Sequence, residues 1–277
     1  MSLTWQSADQ PALPRITPLG WVRVVLRGLP LAVLVFGGLG LLVLVRLVER
    51  PLCGMRRPLT PWITQAVCRL TLVILGIGYR VRGQPLRGPG AMVANHASWL
   101  DIFALNARTQ VVFVAKSEVA GWPGIGLLAR ATGTLFIRRD RAEVAGQIGL
   151  FGDRLRAGHK LVFFPEGTST DGLRVLPFKP ALFAAFVVPG LQVQPVSVVY
   201  SAPKRADPRF YGWWGAMEFA PHLLAVLATA AQGRVTLIFH PPLDVARFAD
   251  RKALALACEN AVRAGVMSSR VAAPEVR

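Results

Sequence analysis

In "VANHASWLD" (93–101) a short apolar run leads into Asn95 and His96, and Asp101 follows five residues after the histidine. If a strand ends at the histidine and a helix opens at Ser98 or Trp99, the aspartate falls in the first turn, within reach of the imidazole. A carboxylate there binds Nδ1–H, fixes the tautomer and leaves Nε2 as a general base. The chain has no GxSxG nucleophile elbow. The direct chemistry is therefore deprotonation of a substrate hydroxyl, which attacks an acyl carbonyl without an acyl-enzyme. Taken alone, the pair would equally suit a strand-end histidine satisfied by a local carboxylate.

Its company points further. "FPEGTSTDG" (164–172) leaves a strand pattern for a turn-rich loop in which Gly167, Thr168 and Ser169 could offer donors to an anion, with Glu166 directly after the strand. "LFIRRD" (135–140) ends a strand in Arg138 and Arg139, a pair suited to gripping phosphate or carboxylate, and Lys116 follows the strand pattern at 111–115. Each could be a solvated turn or a surface charge. A base, an anion grip and a donor-rich loop, all at strand ends, together describe a site.

Strand-like runs lie at 79–83, 91–95, 111–115, 134–138, 161–165, 193–200 and 234–240, with helical patterns between several of them at 142–157, 177–186, 217–231 and 246–267. That alternation predicts an α/β fold with a mixed, largely parallel sheet flanked by helices, whose functional groups gather beyond the carboxyl ends of the strands. The amphipathic spacing after residue 241 suits packing against the sheet.

Upstream the texture differs. Residues 29–45, "LPLAVLVFGGLGLLVLV", are uncharged between Arg27 and Arg46, a helix of about 25 Å that could span a bilayer with snorkelling arginines or dip into one leaflet. Residues 59–78 carry Trp62 at one end and Arg69 in the middle, which suits an interfacial helix. Residues 1–78 are thus expected to be a membrane-embedded two-helix anchor and 79–277 an α/β domain. More arginines follow the apolar run (46, 50, 56, 57) than precede it (15, 23, 27), which places that domain on the cytoplasmic side.

The 277 residues are 53% hydrophobic and carry a net charge of +17, with 32 Lys+Arg against 15 Asp+Glu. Eleven arginines against Asp9 and Glu49 fall in the first 90 residues, the greasiest third. Such charge beside apolar sequence attracts anionic membrane lipids, whereas a nucleic-acid binder would show a polar basic face or a known module. Three cysteines without CxxC spacing and four scattered histidines without HExxH argue against a disulfide scaffold and a zinc site. A basic lipid-binding protein without catalysis would share the composition but leave His96 and Asp101 unexplained.

The blocks "NHASWLD" (95–101), "GTLFIRRD" (133–140), "FPEGTSTDG" (164–172) and "VQPVSVVY" (193–200), in that order, resemble the lysophosphatidic acid acyltransferase family over roughly residues 79–240, and the apolar N-terminal helices resemble its membrane anchor. The resemblance implies a catalytic dyad of His96 and Asp101. It also implies an acceptor site drawing on Arg138, Arg139, Glu166, Gly167 and Thr168, beside which Lys116 and Ser169 are placed by their own chemistry, and a role for Pro195 in sheet architecture or on the acyl-donor side. The implied reaction moves a fatty acyl group from acyl-carrier protein or coenzyme A to a lysolipid hydroxyl, with 1-acyl-glycerol-3-phosphate as the expected acceptor, at the cytoplasmic face of a bacterial-type inner membrane. It needs no metal, no bound redox cofactor and no nucleic acid. Many family members continue the third block as EGTR, where the arginine holds the acceptor phosphate; here Ser169 stands in its place and the next arginine is Arg174. With "FVAKSEVAGWPGIG" (113–126) and "FYGWW" (210–214), this form is similar to bacterial lyso-ornithine lipid acyltransferases, the alternative reading.

Overall fold

The computed structural model describes residues 5–7, 9–137, 144–186 and 190–271. Its centre is a sheet of β1 (Gly78–Arg82), β2 (Gly90–Ala94), β3 (Val112–Lys116), β4 (Leu135–Ile137), β5 (Lys160–Phe163), β6 (Gln192–Ser201), β7 (Arg234–Phe239) and β8 (Leu243–Asp244), in the spatial order β1-β7-β6-β2-β5-β3-β4, with β8 also pairing β6. From β6 to β4 every neighbouring pair is parallel, whereas β7 and β8 run antiparallel to β6. The carboxyl ends of β2, β5, β3 and β4 therefore share one edge.

Strand alternation sorts side chains to two faces. In β2, Met92 and Ala94 join one buried cluster while Ala91 and Val93 join the other. The first cluster is covered by α2 (Thr60–Leu75), α3 (Leu100–Arg108) and α6 (Phe219–Ala228), and the second by α5 (Val144–Arg156) and α7 (Arg251–Val271). β2 and most of β5 are buried on both faces, which is why they read as continuous apolar runs.

Pro195 lies inside β6, opposite Val93 of β2, where β6 exchanges its antiparallel partner from β8 at residues 192–193 to β7 at residues 196–201. Its carbonyl accepts from the His240 N–H at 3.0 Å. A proline, with no N–H to give the ladder, is tolerated at such a break.

α1 runs from Pro18 to Cys53, well beyond the expected 29–45. Thr17 caps its start, Pro18 provides a preset first turn, and the arginines beyond the apolar run are good helix formers. Its 36 residues span about 54 Å, long enough to cross a bilayer, and the apolar window is 6% buried. Gly38 lets α1 approach α2, since a Cβ there would lie 2.5 Å from Val67 Cγ2.

α2 does not stand apart from the sheet. Cys68, Leu72 and Leu75 sit in the same cluster as Met92 and Leu105, so residues on both sides of the expected boundary at 78 share one core. Three of the arginines expected to face lipid are spent on helix carboxyl ends. Arg27 donates to the carbonyls of Leu227, Thr229 and Ala230, Arg57 to those of Ala131 and Thr132, and Arg69 to that of Ala107. Cations there satisfy orphan carbonyls and complement the helix dipole.

Two further elements differ from expectation. The helix expected at 177–186 is a 3-10 turn, Pro180–Phe186, drawn tight as Phe183 and Phe186 pack on Phe163. α4 (Ile125–Thr132) lies within "GWPGIGLLARATG", where flanking glycines and a proline masked its short period.

Candidate active site

Asn95 follows β2 and turns its amide onto β6, with Nδ2 donating to the Val198 carbonyl and Oδ1 accepting from the Val198 N–H, both at 2.8 Å. The side chain thus continues the β2–β6 ladder one residue past the strand and fixes where His96 begins. Contacts to its backbone and to its ring then hold that histidine. Its N–H donates to Glu166 Oε1 at 2.7 Å, its carbonyl accepts from the Thr170 N–H at 2.9 Å, and Phe164 stacks on its ring at 4.1 Å and 15°. The Thr170 hydroxyl also donates to the carbonyl at 3.3 Å, and Nδ1 lies 2.7 Å from Asp101 Oδ2.

Asp101 lies in the first turn of α3 and is fully buried, while the His96 side chain is 23% exposed. Oδ2 also accepts from the N–H groups of Ala97 (2.8 Å) and Ser98 (3.0 Å), and Oδ1 from the Tyr200 hydroxyl (2.7 Å). A carboxylate only accepts, so Nδ1 carries the proton and Nε2 keeps its lone pair on the open side. Burial and the neighbouring Asp101 push the Tyr200 phenol well above its usual pKa, so it remains a donor.

Sequence reasoning missed Tyr200. It is the last residue of the fourth block, and its alternation in β6 places it on the face that α3 covers, but nothing local marks its partner. Phe164 and Asn95 stand inside the quoted blocks and were passed over for want of titratable chemistry.

Glu166 and the loop after it are brought against the dyad. The Glu166 side chain is buried and its oxygens accept from the backbone N–H groups of His96 and Leu176, so it joins the two loops that frame the histidine. Burial raises its pKa to about 8 against the opposing pull of those two donors. The Gly167 N–H closes a turn on the Phe164 carbonyl, at a φ of +70° that favours glycine. Thr168 Oγ1 accepts from the Trp5 N–H at 3.2 Å, and Ser169 follows it, half-buried. Lys116 ends β3, two strands along the same edge through β5. Arg138 and Arg139 lie outside the described residues; β4, which leads into them, ends at Ile137 beside Lys116.

A protein-family model described as Acyltransferase matches residues 79–199. The chain is 56% identical over 266 residues to a lyso-ornithine lipid O-acyltransferase of Rhodobacter capsulatus, covering 95% of this chain and 96% of that protein. It is 34% identical over 204 residues to a 1-acyl-sn-glycerol-3-phosphate acyltransferase of Neisseria meningitidis, covering 72% and 78% of the two chains. In fold it resembles the crystal structure of the 1-acyl-sn-glycerophosphate acyltransferase PlsC from Thermotoga maritima, with a TM-score of 0.65 and 23% identity over 91% of this chain and 96% of that one. These relatives, the first of them matched over nearly its whole length, make the protein an acyltransferase acting on lysolipids and a member of the lysophosphatidic acid acyltransferase family.

Proposed function

We propose that the protein is a lyso-ornithine lipid O-acyltransferase, moving a fatty acyl group from an acyl thioester of acyl-carrier protein or coenzyme A to the free hydroxyl of a lyso-ornithine lipid. The observation that carries this is the 56% identity, over nearly the whole of both chains, to the Rhodobacter capsulatus protein of that name. Relatives named for a 1-acyl-sn-glycerol-3-phosphate acceptor are more distant, at 34%. Ser169, where an arginine would hold a phosphate, supports the same choice. The alternative acceptor of the sequence reading therefore replaces lysophosphatidic acid as the preferred one.

In this mechanism the acceptor hydroxyl sits at Nε2 of His96, whose other nitrogen is held by Asp101. As the oxygen attacks the thioester carbonyl, Nε2 takes its proton and Asp101 stabilises the imidazolium. The tetrahedral intermediate collapses, the C–S bond breaks, and the imidazolium returns the proton to the departing sulfur. The products are an ester and a free thiol, and no bond to the protein forms. Asn95, Glu166 and Phe164 act as positioning residues, since their contacts set the backbone and ring plane of His96. Lys116, Arg138, Arg139, Thr168 and Ser169 are proposed for the acceptor side. The long exposed apolar helix α1 suits seating in a membrane, for which we propose the inner membrane with the catalytic domain on its cytoplasmic face, where thioester donors are made.

The test supplies purified protein with lyso-ornithine lipid and lysophosphatidic acid side by side, under each thioester donor. Turnover of the ornithine lipid at ten-fold or greater kcat/KM, lost in His96→Ala, is expected. Preference for lysophosphatidic acid would overturn the acceptor assignment while leaving the dyad chemistry intact.

A further inference from the structure

The N-terminal segment ahead of α1 crosses the molecule and lies on the third block. The Trp5 N–H donates to Thr168 Oγ1, Trp5 packs against Trp214 with ring centroids 6.1 Å apart, and Trp214 Nε1 donates to Ser7 Oγ at 3.2 Å. Arg209 Nη1 donates to the Asp9 carbonyl at 3.1 Å. Gly215 lies beside the segment at a φ of +62°, a conformation that favours glycine. The loops beneath are the ones that hold the dyad: Thr170 binds the His96 carbonyl and the Trp213 N–H binds that of Ala97 at 2.8 Å.

Under this strap the guanidinium of Arg174 has a fixed plane. One edge is paired with Asp171, Nη2 to Oδ2 at 2.9 Å and Nε to Oδ1 at 3.3 Å, and one face is covered by the Trp5 ring, 5.1 Å from Cζ to the centroid. Asp171 is buried, yet the Arg174 side chain remains 55% exposed, and its Nη1 makes no hydrogen bond among the described residues. A buried carboxylate and an aromatic plate thus hold a forked donor with its outer edge open.

We infer that Arg174, clamped between Asp171 and Trp5, recognises the carboxylate of an amino-acid headgroup on the acceptor lipid, with the N-terminal strap as part of the acceptor site. This rests on the acceptor reading above. Asp171 already neutralises Arg174, so the pair presents directional donors with little net charge. That suits the single carboxylate of a zwitterionic headgroup, whereas a phosphate monoester, at nearly two negative charges, needs an unpaired cation. The arginine that this chain lacks at position 169 would be such a cation.

The test uses full-length protein in detergent with lyso-ornithine lipid and its carboxyl methyl ester, which removes the charge and one acceptor oxygen but keeps the reacting hydroxyl. Wild type should show an apparent KM about one to two decades lower for the acid than for the ester. In Arg174→Ala the two KM values should converge to within about threefold, the loss falling on the acid. Trp5→Ala should narrow the gap by about two- to five-fold, and Trp5→Phe should restore most of it. Lyso-ornithine lipid turnover with an acid-to-ester ratio that is close to one in wild type, or that survives in Arg174→Ala, overturns the assignment of Arg174 and leaves the acceptor reading standing. The wild-type ratio decides this even if a variant precipitates. Turnover of lysophosphatidic acid alone would remove the acceptor reading and the assignment with it.

Discussion

The Tyr200 hydroxyl donates to Asp101 Oδ1 at 2.7 Å across 99 residues of sequence, while Oδ2 of the same carboxylate holds His96. The tyrosine locks the rotation of the aspartate and draws off part of its charge. Tyr200→Phe should lower kcat by about three- to ten-fold. A rate identical to wild type would make Tyr200 a packing residue only.

The dyad itself gives a sharper expectation. His96→Ala should reduce kcat by about 10²–10⁴ while the protein remains folded, because the general base is gone. Asp101→Asn should be nearly as severe. Its amide cannot accept from His96, Ala97, Ser98 and Tyr200 together without turning its NH₂ toward one of those donors. Single-turnover rates with circular dichroism on the same samples check both. Near-normal turnover in His96→Ala removes the mechanism.

Glu166 predicts a pH dependence of stability. Folding raises its pKa from 4.5 to about 8, so in that interval the folded protein holds a proton that the unfolded chain gives up. Its contribution is greatest below 4.5 and falls as pH rises through 8. Glu166→Gln should be destabilised by about 1–3 kcal/mol in mild acid, since an amide NH₂ must then face the N–H of either His96 or Leu176. The gap between the thermal midpoints of wild type and variant should narrow from about pH 5 to about pH 8.5. A gap that widens over that range would refute the sign.

The arginine caps predict that the N-terminal helices are needed for folding as well as for seating. Arg69→Ala, which leaves the Ala107 carbonyl at the end of α3 with only the longer contact from Gln65, should cost about 1 kcal/mol in detergent-solubilised protein. Deleting residues 1–78 uncovers the surface under Cys68, Leu72 and Leu75 and should yield aggregated protein. A soluble, active fragment from 79 onward would show that the shared core is dispensable.

Full-length protein should pellet with membranes, resist high-salt extraction and dissolve in detergent, because α1 exposes Leu26, Val33, Phe36, Leu44 and Leu47. Release by salt alone would point to electrostatic attachment instead.

His96 and Asp101 could be read from the sequence because they lie five residues apart across one strand-to-helix junction, where local geometry alone brings them together. The central strands were legible for a related reason: β2 and most of β5 are buried on both faces, so each shows as an apolar run. α4 was not, since a short element bounded by glycine and proline carries too few periods to separate from a loop, and the helical pattern at 177–186 did not show that packing on Phe163 would make it a 3-10 turn. Contacts between distant segments were decided only by the tertiary structure. Tyr200 reaches Asp101 because β6 lies beside β2, Trp5 reaches Arg174 because the strap crosses the third block, and Arg27, Arg57 and Arg69 meet helix ends that follow them by tens to hundreds of residues. An arginine in an apolar stretch reads the same whether it faces a phosphate or a backbone carbonyl, because both offer oxygen to the same donors; the fold alone chooses between them.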